Sequence, residues 1–144
     1  KVELGSEITF GGAADEQNAY FAVRSGGVAA VNMANGEKKW FTPTARLEGQ
    51  RAPFGNSAAV TAIPGAVFAG SWEGMLRAYS SVDGRVLWEF NTAQEFETVN
   101  GVFAKGGSMG GPGPTVAGGM LFAGSGYIFG GGNIGNVLLA FSAE

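Results

Sequence analysis

Two glycine-framed motifs and a few polar side chains are where this sequence could do chemistry, and the lack of any histidine or cysteine narrows what that chemistry can be. Gly106-x-Ser108-x-Gly110 has the spacing of a nucleophile elbow, in which a strained turn raises a serine toward a histidine base. No histidine is present to take the proton, so Ser108 reads as a loop hydroxyl and a hydrolase is disfavoured. Gly130-x-Gly132-x-x-Gly135 has dinucleotide-binding spacing, but those glycines work only where they open a helix whose N-terminus holds a pyrophosphate. Here Val137-Leu138-Leu139-Ala140-Phe141 follows as a strand pattern, so a hairpin insertion over 126–135 is the better reading. Without cysteine there is no disulfide, thiolate zinc site, thiol nucleophile or covalently attached haem in this stretch.

The remaining candidates are non-covalent. Trp72 stands in Gly70-Ser71-Trp72-Glu73-Gly74, at a hairpin, and reads as a rim aromatic packed on a neighbouring loop or as a ligand-facing platform. Asn100, Lys105, Ser108 and Met109 offer donors, an acceptor, a cation and an apolar side chain from one glycine-rich loop. Glu73 reads as a solvated turn carboxylate rather than a base. Asp15 and Asp83 are the only aspartates, and Asp83 belongs to a turn. A net charge of −3 with no basic run removes the electrostatic footprint of nucleic-acid binding. The longest apolar stretch, Ala58 to Gly70, is interrupted by Thr61 and Pro64 and is too short to span a bilayer.

These residues are set on a repeat. Gly26 to Trp40 lies over Gly74 to Trp88 at an ungapped offset of 48, and Thr61 to Gly70 lies over Thr115 to Gly124. An interval of that size is a propeller blade. Short aromatic, branched and small-residue runs at Ala19–Val23, Val28–Val31, Ala66–Gly70 and Leu76–Tyr79 read as strands, and Asn35-Gly36 and Asp83-Gly84 as two-residue hairpin turns. Three antiparallel units of about four strands follow, over 8–41, 56–90 and 111–144, with 91–110 as an interblade loop. Thr92 and Glu95 have capping-box spacing, which predicts a short helix ahead of Phe96 and Val99.

The third unit resumes the pattern at Asn136 and reaches Phe141, the match of Tyr79, without a tryptophan strand after it. A blade in that state needs a strand from Lys1–Phe10 or from another chain. Three blades do not close a ring, since propellers take four to eight. The expectation is an all-β partial ring, completed by the remaining blades of a longer parent chain, or alternatively by other copies of itself.

The phrase Gly74-Met75-Leu76-Arg77-Ala78-Tyr79-Ser80-Ser81-Val82-Asp83-Gly84 through Trp88 resembles the tryptophan-containing repeat of the quinoprotein, or pyrroloquinoline quinone (PQQ)-type, propellers. It departs from that repeat in having Ser80 for the usual Asp and Asp83 for the usual Thr. Phe96 to Gly101, Gly106 to Gly110 and Asn136 to Phe141 look most like the C-terminal end of polyvinyl-alcohol-dehydrogenase-like proteins. The resemblance implies a periplasmic or secreted alcohol oxidoreductase that uses PQQ with Ca2+ and passes electrons to a cytochrome c. It implies an inter-blade packing role for Trp40 and Trp88, and quinone contacts drawn from Asn100, Lys105, Ser108, Met109 and Trp72. The catalytic carboxylate is expected outside this stretch. The rival reading is a cofactor-free propeller that serves as a protein-binding scaffold.

Overall fold

The computed structural model describes residues 1–44, 55–126 and 131–143. Among them every regular element is a strand, and every pairing is antiparallel. The first sheet orders β1 (Ala13–Ala14), β2 (Asn18–Ala22), β3 (Val28–Asn32) and β4 (Lys38–Thr42). The second orders β5 (Thr61–Ile63), β6 (Ala66–Gly70), β7 (Met75–Ser80) and β8 (Val86–Asn91). A two-stranded hairpin, β9 (Glu95–Phe96) with β10 (Ala104–Lys105), precedes a third sheet of β11 (Thr115–Ala117), β12 (Met120–Ser125) and β13 (Val137–Ser142). The chain is all-β, and its first, second and third sheets are called blades 1, 2 and 3.

The repeat carries its irregularities with it. Ala30 pairs with Trp40 and Ala78 with Trp88, and in both blades the register slips immediately afterwards, between Ala30 and Val31 and between Ala78 and Tyr79. The slip traces to the turn. Only Gly36 and Gly84 take positive φ there, at 75° each, while Asn35 and Asp83 do not, so these are longer connections with a glycine bulge rather than the expected two-residue hairpins. Asn32 and Ser80 cap them: the Asn32 carboxamide oxygen accepts from the backbone N–H groups of Ala34 and Asn35, and the Ser80 hydroxyl from those of Val82 and Asp83. Ser80, which stands where the quinoprotein repeat usually has aspartate, thus caps its turn through a hydroxyl.

Neighbouring blades meet face to face. Tyr20, Ala22, Val28, Ala30 and Trp40 of blade 1 pack on Val60, Val67, Ala69 and Tyr79 of blade 2. Leu76 of blade 2 packs on Leu121 and Ala123 of blade 3, with Met109 between them. The small alanines let the sheets approach; the ring of Tyr20 fills the first seam against Trp40 at 5.9 Å between centroids. The Trp40 indole reaches over the turn of the next blade, where its Nε1–H donates to the Ser81 carbonyl at 3.1 Å and Thr42 Oγ1 donates to that of Gly84 at 2.6 Å. Trp88 stands at the same repeat position in blade 2, meets Phe141 edge-on at 5.2 Å and stays 36% exposed.

The capping-box pair does not start a helix, since Thr92 turns its hydroxyl to the Gly74 carbonyl and Glu95 enters β9, opposite Lys105. Residues Lys1–Phe10 do not complete blade 3. Ser6 and Glu7 tie this segment to blade 1, where Glu7 O accepts from Arg24 N–H and Ser6 Oγ from Ser25 N–H. Among the described residues blade 3 has three strands.

Candidate functional site

The loops at one end of blades 2 and 3 converge, and they carry most of the side chains singled out by chemistry. Trp72 lies between β6 and β7, and its six-membered ring abuts Gly110 and Gly132; a Cβ on either glycine would stand 2.4 Å and 3.0 Å from ring carbons. Its backbone N–H donates to the Gly55 carbonyl at 2.8 Å. Ser108 is fully buried. Its hydroxyl accepts from Asn133 N–H at 2.8 Å, its own N–H donates to Asn133 O at 2.9 Å, and its carbonyl accepts from Gly126 N–H at 3.0 Å. Met109 donates its N–H to Ser71 O at 3.1 Å and presses its side chain on Gly70. Trp72, Ser108 and Met109 thus form one packed unit, stitched to the segment around Asn133.

Asn100 and Lys105 lie apart from that unit. Asn100 sits at the tip of the β9–β10 hairpin, where its carboxamide oxygen accepts from the Thr98 hydroxyl at 2.5 Å. Lys105 is exposed on β10, and its backbone exchanges hydrogen bonds with Asn136. The dinucleotide-like spacing cannot be followed as a whole, because Gly130 lies outside the described residues along with Tyr127, Ile128 and Phe129. Gly132 and Gly135 within it close onto Ser108 and Lys105, and no helix follows them.

Sequence reading missed a buried hydroxyl pair that ties these loops together. Thr92 Oγ1 donates to Gly74 O at 2.7 Å and lies 2.7 Å from Ser125 Oγ, which in turn accepts from Gly107 N–H at 2.9 Å. A threonine and a serine 33 residues apart carry no local signal of such a contact. Replacing Thr92 by valine keeps the shape and removes the hydroxyl, so the chemical-denaturation midpoint should fall by the equivalent of about 1–2 kcal/mol. The Ser125→Ala change should cost a similar amount, and the double variant less than the two together, because they share one bond.

The carboxylates are structural. Glu73, expected to be solvated, is 6% exposed, and its carboxylate meets Arg77 at 3.4 Å; Arg77 also reaches Glu89 at 3.1 Å. Asp15 accepts from the N–H groups of Gln17 and Asn18, both at 2.8 Å, and from the Tyr20 hydroxyl. The Tyr20 hydroxyl bond, followed by those two backbone bonds, holds the Asp15 carboxyl below the usual range. Burial and the same carboxylate raise the Tyr20 phenol. A depressed carboxyl contributes stability above its unfolded value, about 3.9, and loses it as the pH falls through the folded value. Urea midpoints should therefore drop more steeply below about pH 4 in the natural chain than in Asp15→Asn, which keeps an oxygen acceptor but cannot titrate.

Among the described residues no three acidic side chains gather where a metal ion could be held. The five residues proposed to touch a quinone do not fit one either. Trp72 abuts two glycines, the Ser108 hydroxyl is committed to Asn133, the Met109 side chain is buried, and the two polar side chains lie outside the packed unit.

Sheets of this size and order, joined by a tryptophan that docks on the next unit's glycine turn, define a β-propeller array of the quinoprotein repeat type. A family model described as "Outer membrane protein assembly factor BamB", PQQ_2, matches residues 24–144, and the chain belongs to this PQQ-type repeat family. It is 43% identical over 171 aligned positions to the polyvinylalcohol dehydrogenase of a Pseudomonas species, an alignment covering all of this chain and 26% of that protein. The chain thus spans about a quarter of the length of this relative. The quinohemoprotein alcohol dehydrogenase of Comamonas testosteroni superposes with a TM-score of 0.63 at 21% identity, over 84% of this chain and 17% of that one. BamB of Moraxella catarrhalis superposes at 0.55 with 19% identity, over 86% and 45%.

Proposed function

We propose that this chain forms the C-terminal blades of a PQQ-dependent alcohol dehydrogenase of the polyvinyl-alcohol-dehydrogenase kind, exported to the periplasm or beyond. The observation that carries the reading is the 43% identity to such an enzyme along the whole chain. In this reading the quinone, its Ca2+ ion and the catalytic carboxylate are held by parts of the parent outside this stretch, and a cytochrome c accepts the electrons. The bound quinone would supply the two-electron acceptor for the alcohol. The residues described here supply rigidity. Thr92, Ser108, Met109 and Ser125 lock the loops at one end of blades 2 and 3, and Trp72 backs them. Lys105 on β10 and Asn100 at the hairpin tip are exposed and stand apart from that unit.

A cofactor-free scaffold is the second reading. It is favoured by the family model's description and by the hairpin tip, where Val99, Val102 and Phe103 are exposed. Absorption spectra of the parent protein reconstituted with PQQ and Ca2+, together with dye reduction by polyvinyl alcohol, separate the two. A quinone band with alcohol-dependent turnover is the expected result; a parent that takes up no quinone sinks the enzyme reading.

A further inference from the structure

Asn-Gly occurs twice in the sequence, at Asn35-Gly36 and Asn100-Gly101, and both asparagines are exposed. In such a pair the glycine nitrogen can attack the carboxamide carbon, because glycine brings no Cβ to obstruct the approach. The two surroundings differ. Gly36 lies in the turn between β3 and β4, where its N–H donates to Asn32 O at 2.8 Å and Val2 Cγ2 stands 3.4 Å from where a Cβ would be. The Asn32 carboxamide grips the same turn through the N–H groups of Ala34 and Asn35, and the Asn35 carboxamide oxygen accepts from Glu37 N–H at 3.0 Å. That turn is held from both sides.

At the tip of the β9–β10 hairpin, nothing among the described residues lies within 4 Å of the Cβ position of Gly101, and Val99, Val102 and Phe103 around it are exposed. The Asn100 carboxamide oxygen accepts a long bond from Val102 N–H at 3.5 Å and lies 2.5 Å from Thr98 Oγ1, whose single proton is shared with Val102 O, also at 2.5 Å. As a nitrogen adds to the carboxamide carbon, negative charge gathers on that oxygen, which becomes the stronger acceptor and draws the Thr98 proton to itself. Among the described residues no hydroxyl is bonded to the Asn35 oxygen.

We infer that Asn100 is a self-modifying site, converted to isoaspartate or aspartate ahead of Asn35. The Gly101 nitrogen forms a bond to Asn100 Cγ, the Cγ–Nδ2 bond breaks, and the amide proton of Gly101 leaves with that nitrogen as ammonia. Water then opens the cyclic imide at either carbonyl, so the net change replaces an amide NH2 by OH. The product carries a new carboxylate near Glu97, amid the exposed apolar side chains of the tip, and the isoaspartate form adds a methylene to the backbone there.

Ageing the natural chain at neutral pH tests this, with the mass gain at each site read after trypsin, which separates the two by cutting after Arg24, Lys38, Arg85 and Lys105. Asn100 should convert about fivefold faster than Asn35, the factor that one net hydrogen bond corresponds to. In urea that unfolds the chain, the two rates should converge, since only the shared dipeptide remains. Thr98→Val should slow conversion of Asn100 about fivefold and leave Asn35 unchanged, and Thr98→Ser should keep the natural rate. Equal or reversed rates in the folded chain overturn the inference. So does a difference that persists undiminished in urea, which would trace it to neighbouring sequence. A Thr98→Val chain that converts Asn100 at the natural rate overturns the part given to the hydroxyl.

Discussion

Replacing Asn56 by alanine should remove more stability than any other single polar change in this chain, on the order of 3–5 kcal/mol in chemical denaturation. Its side chain is fully buried and joins three parts of the chain. The carboxamide oxygen accepts from Gly27 N–H at 3.0 Å in blade 1 and from the Thr44 hydroxyl in the segment leaving it; the nitrogen donates to Gly70 O at 3.1 Å in blade 2. Alanine would strand a backbone donor and a backbone acceptor where water cannot replace the lost bonds. Aspartate is the sharper comparison. It keeps the acceptor side but offers no donor to Gly70 O and buries a charge, so Asn56→Asp should be at least as damaging at neutral pH and partly recover on acidification. If both variants unfold at the natural midpoint, the seam between blades 1 and 2 does not depend on this residue.

The second large effect is expected at Gly84. Its φ is +75°, and a Cβ there would stand 2.5 Å from Trp40 Cε3 and 2.7 Å from Thr42 Oγ1. Gly84→Ala therefore combines left-handed backbone strain of about 1 kcal/mol with displacement of an indole that closes the seam, a total of about 3 kcal/mol or more. Gly65 separates the two contributions. It has φ +87° and nothing within 4 Å among the described residues, so Gly65→Ala should cost only the strain. Removing the ring should also relieve the collision. In the Trp40→Ala background, the further change at Gly84 should cost less than in the natural chain, exceeding the cost at Gly65 only by what the Thr42 hydroxyl at 2.7 Å adds, as a double-mutant cycle would read.

The strands, their order and the blade interval were legible because they depend on local alternation and on turn residues that recur at fixed spacing. Val28–Asn32 and Met75–Ser80 lie within a residue of where the repeat placed them. The failures share one cause, a distant partner that outbids a local pattern. Thr92 and Glu95 have the spacing of a helix start, yet the Thr92 hydroxyl bonds Gly74 and Ser125, and the chain extends instead. Glu73 sits in a hairpin turn and looks solvated, but Arg77 four residues on turns back to pair with it. Trp72 was read at a hairpin and Ser108 and Met109 in a glycine-rich loop, since turn and loop composition is local. That their polar atoms are already engaged there was not readable, since Asn133, Ser71 and Gly55 come from other loops.

The seam between blades 1 and 2 has two unlike sides: an indole and a threonine hydroxyl on one, a glycine turn with open carbonyls on the other. Contacts of this head-to-tail kind have a direction and cannot be satisfied by rotating one body onto itself through a two-fold axis. Units joined this way add end to end, and only the angle between them limits how many fit before the first meets the last. A lone segment has no symmetric way to hide its two ends at once. Covering one end of the segment therefore leaves the other, unlike end still to be covered.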